Sequence, residues 1–136
     1  MATFALVSEG ITDQAVLETI IRAHCRCFAV DEVDVVPLQP MRDATDDARA
    51  GTYGGWEQIF EFCSASDRIV EALSFNDYLV IHLDTDCAEH PNFGIKIIEN
   101  GVERSVAELV RDASDLLIAK MTKAIYELYG SKIVLQ

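Results

Sequence analysis

The chain has 136 residues, half of them hydrophobic and a quarter charged, which is typical of one globular domain and excludes an intrinsically disordered protein. Eleven Lys and Arg stand against 23 Asp and Glu, so the net charge is −12. Because basic residues supply most of the affinity for nucleic-acid phosphates, we expect this chain to bind nucleic acid only with metal ions, a basic partner or a further domain.

The first third of the chain predicts a strand, a helix and a second strand. Phe4–Val7 is a continuous apolar run, as in strands that are covered on both faces. Gly10 allows a tight turn, and the apolar spacing after it predicts a helix that ends near Cys27. The next apolar stretch, Val33 to Leu38, predicts a strand in which Pro37 indicates an edge position.

A polar loop and a helix separate this strand from the third one. Residues 41–55 are rich in Asp and Gly and predict the loop. The helix is predicted to begin at Trp56 and to extend to Leu73, with a break near residues 64–66. The third strand is the apolar run from Tyr78 to Leu83.

The last third predicts a loop over residues 87–101, a long helix capped by Ser105 and ended by Gly130, and a fourth strand over residues 132–136. The order is therefore β-α-β-α-β-α-β. Helices that act as right-handed crossovers give a three-layer α/β sandwich with a mainly parallel four-stranded sheet. We interpret residues 1–136 as one such domain, and its terminal strand would suit a domain cut from a longer protein.

Two acidic clusters follow two of the predicted strands. Residues 9–13 follow the first strand, and residues 84–86 follow the third. The carboxyl ends of parallel strands meet at one edge of a sheet, so these side chains are expected to share a cleft. Carboxylates that lie close together repel, and a hard divalent cation with oxygen ligands would neutralise them. The predicted metal ligands are Glu9, Asp13, Asp84 and Asp86.

These residues also have structural interpretations. Asp84 and Asp86 could be solvated loop carboxylates, although their place after an apolar strand favours metal binding. Asp13 could equally be an acidic residue in the first turn of a helix. Glu9 is harder to explain in this way, because a charged group at the end of a buried strand needs a partner.

The cysteines allow a different metal hypothesis. Cys25, Cys27, Cys87 and His90 could together supply the ligands of a zinc site. The Cys25–Cys27 spacing is tight, and Cys87 with His90 is a single short pair, so this pattern is a weak indication of zinc. Unligated thiols in a reducing compartment are the favoured interpretation.

The acidic signatures and the element order resemble the Toprim domain, which type IA and type II topoisomerases, bacterial primases and the overcoming-lysogenization-defect nucleases share. Glu9-Gly10 with Asp13 matches the glutamate signature of that family, and Asp84-Thr85-Asp86 matches its Asp-x-Asp signature. The resemblance covers essentially the whole chain. It is closer to small stand-alone or defence-associated prokaryotic Toprim-like proteins than to topoisomerases.

The resemblance implies Mg²⁺-dependent breaking or joining of phosphodiester bonds, with Mn²⁺ as a possible substitute. Asp84 and Asp86 would hold the metal, and Glu9 would act as general acid/base or share a second metal. The substrate-contact candidates are Gly10, Arg42 and Arg49; the two arginines lie in the predicted loop and could contact phosphate.

Two function classes follow. The first is a metal-dependent nuclease or related phosphoryl-transfer domain, in prokaryotic defence or DNA processing. The alternative is a non-catalytic acidic module that binds a divalent cation and a protein partner or a second copy of itself. A phosphate-accepting receiver domain fits less well, because it needs an acidic pair directly after the first strand.

Location is predicted from absent signals. No apolar run approaches the roughly 18–20 residues that cross a bilayer. The N-terminus has no basic region of the kind that begins a secretory signal. We therefore expect a cytoplasmic protein with no membrane association.

Overall fold

The computed structural model describes residues 1–40 and 55–136, which contain six strands and five helices. The strands are β1 (Ala2–Val7), β2 (Val33–Gln39), β3 (Tyr78–Ile81), β4 (Ile98–Glu99), β5 (Val102–Glu103) and β6 (Ile133–Leu135). The helices are α1 (Ile11–Cys27), α2 (Gly55–Ser64), α3 (Ser66–Phe75), α4 (Val106–Met121) and α5 (Lys123–Tyr129), with a short 3-10 turn at Gly130–Lys132.

Four strands form one parallel sheet in the order β2-β1-β3-β6. The predicted α/β class and parallel four-stranded sheet are confirmed. Strand β1 is central, and its Ala5 lies between Val36 of β2 and Leu79 of β3. Strand β2 is at an edge of this sheet, as Pro37 indicated, since the missing N–H of a proline is tolerated there.

The alternation of side chains along β1 supplies both faces of the sheet with core residues. Ala5 and Val7 belong to the larger core cluster, which also contains buried side chains of α2, α3 and α4. Leu6, between them, packs on the other side with Leu17 of α1. All three β1 residues are completely buried, as expected for a continuous apolar run with cover on both faces.

The predicted loop over residues 87–101 is partly wrong, because it contains half of a small hairpin. Strands β4 and β5 pair antiparallel through a two-residue turn, Asn100-Gly101, with both turn residues at positive φ. Such a turn is the strongest short sequence signal for a hairpin. Arg104 holds the hairpin against α4 by donating to the Lys96 carbonyl at 3.0 Å and to the Asp112 carboxylate at 2.6 Å.

The helix boundaries agree in part with the sequence. The break expected near residues 64–66 is confirmed, since α2 and α3 meet at Ala65. The single long helix expected after Ser105 is wrong, because Thr122 has a φ of 71° and divides it into α4 and α5. Within the two described ranges, no helix is both long enough and apolar enough to span a bilayer.

Candidate active site at the carboxyl ends of β1 and β3

A tight turn joins β1 to α1 and carries the first acidic cluster. Ser8 is almost fully buried; its N–H donates to the Gln39 carbonyl at 2.9 Å, and its hydroxyl donates to the Gly10 carbonyl at 3.0 Å. Helix α1 then begins, with the Gln14 N–H donating to the same Gly10 carbonyl at 3.2 Å. These bonds hold the backbone of the turn on both sides of Glu9, which is half-buried.

The second cluster follows β3 and lies beside the first. The ladder continues for two residues past the strand, with the His82 N–H donating to Val7 O at 2.8 Å and the Leu83 N–H to Gln136 O at 3.1 Å. The next N–H, that of Asp84, donates to the Glu9 carboxylate (N···Oε1 2.7 Å). This bond joins residues 75 positions apart and ties the carboxyl ends of β1 and β3 together.

The exposed loop carboxylates are held close to Glu9 by their own backbone. The Asp86 N–H donates to Asp84 Oδ1 at 3.3 Å, which folds residues 84–86 back on themselves. Both side chains are exposed, whereas Glu9 beneath them is half-buried. The Asp84 N–H bond and the effect of both charges on Glu9 show that the structure brings Glu9, Asp84 and Asp86 together.

Glu9 experiences an unfavourable environment for its charge. Burial raises the pKa of its carboxyl above the ordinary value of 4.5, and the hydrogen bond from Asp84 N–H opposes that shift. The negative charges of Asp84, Asp86 and Asp13 raise the pKa further. The other three predicted metal ligands therefore all act electrostatically on Glu9, and a proton on Glu9 or a nearby cation would relieve this repulsion.

Asp13 has a structural task in this arrangement. Its Oδ2 accepts the Gly10 N–H at 3.0 Å, so one oxygen satisfies the N-terminus of α1. A Cβ on Gly10 would lie 3.1 Å from that oxygen, so the Asp13 carboxylate would have to shift slightly to make room for it. One oxygen of Asp13 thus has the role expected of an acidic residue in the first turn of a helix. The negative charge of Asp13 also helps to raise the pKa of Glu9.

Sequence reasoning missed the close contact of Glu9 with the start of α2. A Cβ on Gly55 would lie 2.7 Å from Glu9 Cβ and 2.9 Å from Glu9 O, so only glycine fits without a shift of one or the other. The next residue, buried Trp56, packs against His90 with ring centroids 5.3 Å apart. The Gly54-Gly55 pair before a predicted helix was the available signal.

Cys87 is a second residue whose position the sequence did not reveal. The hydrogen bond between its thiol and Asp86 raises the pKa of Cys87, and so do partial burial and the charges of Asp86, Glu9 and Asp84. The exposed thiol therefore belongs to the acidic cluster. Two of the other zinc candidates, Cys25 and Cys27, lie on α1.

The residue types of the cluster suit Mg²⁺, but its geometry is not that of a preformed cage. In the described part of the chain, no three His, Cys, Asp or Glu side chains are placed to hold one metal ion. Mg²⁺ usually retains several waters and takes one or two protein carboxylates, so a cage is not required. The donors that suit it in kind are the oxygens of Glu9, Asp84 and Asp86.

The remaining site predictions and the comparisons add no further constraint. Gly10 lies in the turn beside Glu9, whereas Arg42 and Arg49 fall outside the described residues. No family model matches the chain, and neither the curated proteins nor the solved structures contain a match to it.

Proposed function

We propose that this chain is a Toprim-like domain that carries out metal-dependent phosphoryl transfer on nucleic acid, as a nuclease. The observation that carries the proposal is the hydrogen bond from Asp84 N–H to Glu9 Oε1, which joins the two acidic signatures into one cluster. The sheet order β2-β1-β3-β6, with a glutamate after its first strand and Asp-x-Asp after its third, supports a Toprim-like three-layer sandwich over residues 1–136.

The metal proposal rests on the charge of the cluster. Burial and then three neighbouring carboxylates raise the pKa of Glu9, and the donors are hard oxygens of the kind that Mg²⁺ and Mn²⁺ take. Asp84 and Asp86 are the residues that would hold the ion, since they are exposed and adjacent. Bound there, Mg²⁺ supplies positive charge that neutralises a phosphate and lowers the pKa of an attacking water.

Glu9 is the proposed general acid/base. A carboxyl whose pKa lies above its ordinary value holds a proton closer to neutral pH, which suits a group that must both accept and give one up. Glu9 is half-buried, which shields it from part of the solvent. The hydrogen bond from Asp84 N–H holds its carboxylate in one orientation. The alternative proposed role of Glu9 is to share a second metal.

Substrate binding has to overcome the net charge of −12. The proposed contacts are the backbone at Gly10 and the guanidinium groups of Arg42 and Arg49. We further propose that nucleic acid binds only with metal or with a basic partner or domain, and that the protein acts in the cytoplasm in prokaryotic defence or DNA processing.

Thermal unfolding with EDTA, Mg²⁺ or Mn²⁺ tests the metal site first. We expect either ion to raise the melting temperature of the wild type, because a ligand that binds only the folded state stabilises it. Asp84→Asn and Glu9→Gln should remove that response, and Asp31→Asn should keep it, since exposed Asp31 precedes β2 at the opposite end of the sheet. If the two site variants respond like the wild type, the proposed site is wrong.

Cleavage of labelled single- and double-stranded DNA and RNA then tests the chemistry. We expect Mg²⁺- or Mn²⁺-dependent cleavage that Glu9→Gln and Asp84→Asn abolish and Asp31→Asn retains. Cleavage that persists in EDTA or in both site variants would contradict the proposal.

The second candidate is the non-catalytic acidic module that binds a divalent cation and a protein partner or another copy of the chain. The observation that favours it is the net charge of −12, which opposes the binding of nucleic-acid phosphates. Metal-dependent stabilisation without cleavage of any nucleic acid would select it over the nuclease.

A further inference from the structure

The two faces of the parallel sheet have unequal cover. In the described part of the chain, α2, α3 and α4 pack on one face, whereas α1 is the only helix that packs on the other. On the α1 face Val80 of β3 is buried, but Val134, its neighbour on β6, is 44% exposed. Tyr78 of β3 lies on the same face, stacked on Phe4, and is also exposed. The part of this face around β6 is therefore open to solvent at apolar side chains.

Helix α1 has an exposed apolar stripe beside this open part of the sheet. The stripe consists of Val16, Ile20, Ala23 and Cys27. Spacings of four, three and four residues place these side chains along one side of the helix. The opposite flank of α1 faces the edge strand β2, because the Arg22 side chain donates to the Val33 carbonyl and to Glu18. The stripe thus lies towards β3 and β6, and with Tyr78 and Val134 it forms one exposed area, the α1–β6 surface.

The exposed side of α1 carries no negative charge, although the chain has 23 Asp and Glu. The structure describes this helix in full, and its two carboxylates, Asp13 and Glu18, are half-buried and accept from Gly10 N–H and Arg22. Arg26 is its only exposed Asp, Glu, Lys or Arg. An exposed apolar area marks an interaction site, and one without carboxylates can approach another acidic chain with little repulsion.

The two ends of α1 differ in charge, which favours an antiparallel second copy as the partner. Its first turn holds Asp13, whose charge acts on Glu9 of the acidic cluster, whereas its last turn holds His24 and Arg26. A two-fold axis close to Ile20, near the middle of α1, sets Arg26 of one copy level with the Asp13 end of the other. A parallel pair would instead bring two acidic clusters together. Opposite charges at the two ends of one helix make the surface complementary to itself, as a two-fold interface requires.

We propose that two copies of this chain form a two-fold symmetric dimer in which their α1 helices pack antiparallel through the apolar stripe. The α1–β6 surface of each copy is buried in that dimer, and Arg26 of each copy adds positive charge near the acidic cluster of the other. Helix α1 is about 25 Å long and the adjoining strands are short, so the interface is no larger than the standard of about 800 Å² per partner. A micromolar Kd suits an interface of this size. The dimer does not depend on the proposed phosphoryl transfer.

Sedimentation equilibrium of the chain in EDTA and 200 mM KCl tests the dimer. The salt limits repulsion between acidic chains, and EDTA excludes association through a bridging metal. We expect the mass to rise from the 15.1 kDa of one chain towards twice that value as the concentration increases to about 500 µM. A mass of one chain at every concentration would overturn the proposal and leave the surface to a different protein or domain.

A matched pair of variants identifies the surface. Ile20 is 56% exposed on α1 and Val110 is 57% exposed on α4, which packs on the other face of the sheet. Ile20→Glu and Val110→Glu therefore add the same charge at equally exposed helical positions. We expect Ile20→Glu to weaken the dimer at least about tenfold, because it places a carboxylate in the contact, and Val110→Glu to associate like the wild type. An unchanged Ile20→Glu dimer, or equal weakening by both variants, would reject the α1–β6 surface.

Charge reversal tests the antiparallel orientation. Arg26→Glu and Lys123→Glu change the net charge equally, but only Arg26 lies on α1. Because Arg26→Glu replaces attraction by repulsion at the acidic end of the other copy, it should weaken the dimer by about tenfold, whereas Lys123→Glu should not. Equal effects of the two variants would contradict the proposed orientation.

Oxidative cross-linking tests the same orientation without changing a charge. Ile20→Cys should give a disulfide between the introduced thiols of two copies, because position 20 lies at the two-fold axis. The native Cys27 thiols are about 20 Å apart in an antiparallel pair, so they should not cross-link to each other. Peptide mass spectrometry distinguishes the two disulfides. Rapid formation of a Cys27–Cys27 disulfide in the wild type would indicate a parallel pair and overturn the proposed arrangement.

Discussion

At the scale of single residues, the state of Glu9 decides what the acidic cluster can do. Burial is the first cause that raises its pKa, and the three neighbouring carboxylates add to it. The Asp84 N–H bond opposes the shift but is outweighed. A proton on Glu9 and a cation beside it are therefore alternative ways to relieve the same repulsion. The protonation of Glu9 thus tests both the acid/base hypothesis and the metal-binding hypothesis.

The stability of the metal-free chain should depend on Glu9 in a pH-dependent way. A carboxyl whose pKa is raised by folding holds its proton more tightly in the folded state, so its contribution to stability falls as pH rises from below 4.5 through the folded pKa. Glu9→Gln removes that loss and keeps an acceptor for Asp84 N–H. We expect urea unfolding in EDTA to show Glu9→Gln more stable than wild type at pH 7, with the difference shrinking towards pH 4.

The control for this experiment is Glu61→Gln, a change at an exposed glutamate of α2. It should give the same small difference from wild type at both pH values. A Glu9→Gln variant that is less stable than wild type at pH 7 would mean that the charged form of Glu9 is favoured in the folded chain.

The reactivity of Cys87 reports on the same cluster. Its thiol pKa is raised first by the hydrogen bond to Asp86, and a thiol that stays protonated reacts slowly with alkylating reagents. Asp86→Asn removes the negative charge and should speed the alkylation of Cys87 by iodoacetamide near pH 8. Peptide mass spectrometry would separate Cys87 from exposed Cys27, whose rate should not change and which serves as the internal reference.

Buried Cys63 should stay unmodified throughout, because burial raises the pKa of its thiol to about 12. An unchanged Cys87 rate in Asp86→Asn would show that the Asp86 contact does not control this thiol.

At the scale of elements, the approach of α2 to β1 sets the shape of the cluster. Gly55→Ala would place a Cβ 2.7 Å from Glu9 Cβ, a separation that forces the helix or the turn to shift. Overpacking of this kind costs about 1–3 kcal/mol, more than the up to about 1 kcal/mol that alanine gains over glycine in a helix. We expect a net loss of stability by urea unfolding and an altered metal response. Glu61→Ala, on an exposed face of α2, should stay within about 0.5 kcal/mol of wild type.

The elements that the sequence predicted are those whose pattern is local. The apolar run ending at Val7 sufficed to predict a strand covered on both faces, and Pro37 sufficed to predict an edge strand, because burial and the missing N–H act on those residues directly. The Asn100-Gly101 hairpin carried a local signal that was overlooked. The break at Thr122 carried none, since a threonine at positive φ is held by its surroundings and not by its own preference.

The site was predictable in part for the same reason. Strand ends followed by Glu9 and Asp84 can be identified from sequence once a parallel sheet is expected. The contact of Gly55 with Glu9 and the hydrogen bond from Arg68 to Gln39 join distant parts of the chain. Such contacts depend on how the helices pack on the sheet, and the spacing of apolar residues in the sequence does not determine that packing.

At the scale of the whole molecule, the net charge of −12 acts on stability and on nucleic-acid binding together. Self-repulsion destabilises a compact acidic chain, and salt screens it with a Debye length of about 10 Å at 0.1 M. In EDTA we expect the melting temperature to rise by a few degrees, corresponding to about 1 kcal/mol, between 10 mM and 200 mM KCl. Control variants that leave the net charge unchanged, such as Gly55→Ala, should show the same salt increment.

Specific metal binding should raise the melting temperature beyond the increase that salt screening gives. At 200 mM KCl, 5 mM Mg²⁺ adds little ionic strength, so any further stabilisation of the wild type comes from a bound ion and not from screening. The same Mg²⁺ should allow labelled DNA to bind at that salt concentration, whereas EDTA should abolish binding because the acidic surface repels phosphate. Asp84→Asn removes one negative charge yet should bind DNA more weakly with Mg²⁺, in the opposite direction from a purely electrostatic effect. Stronger binding by Asp84→Asn than by wild type in fluorescence anisotropy would show that net charge, and not a metal at the ends of β1 and β3, controls the interaction.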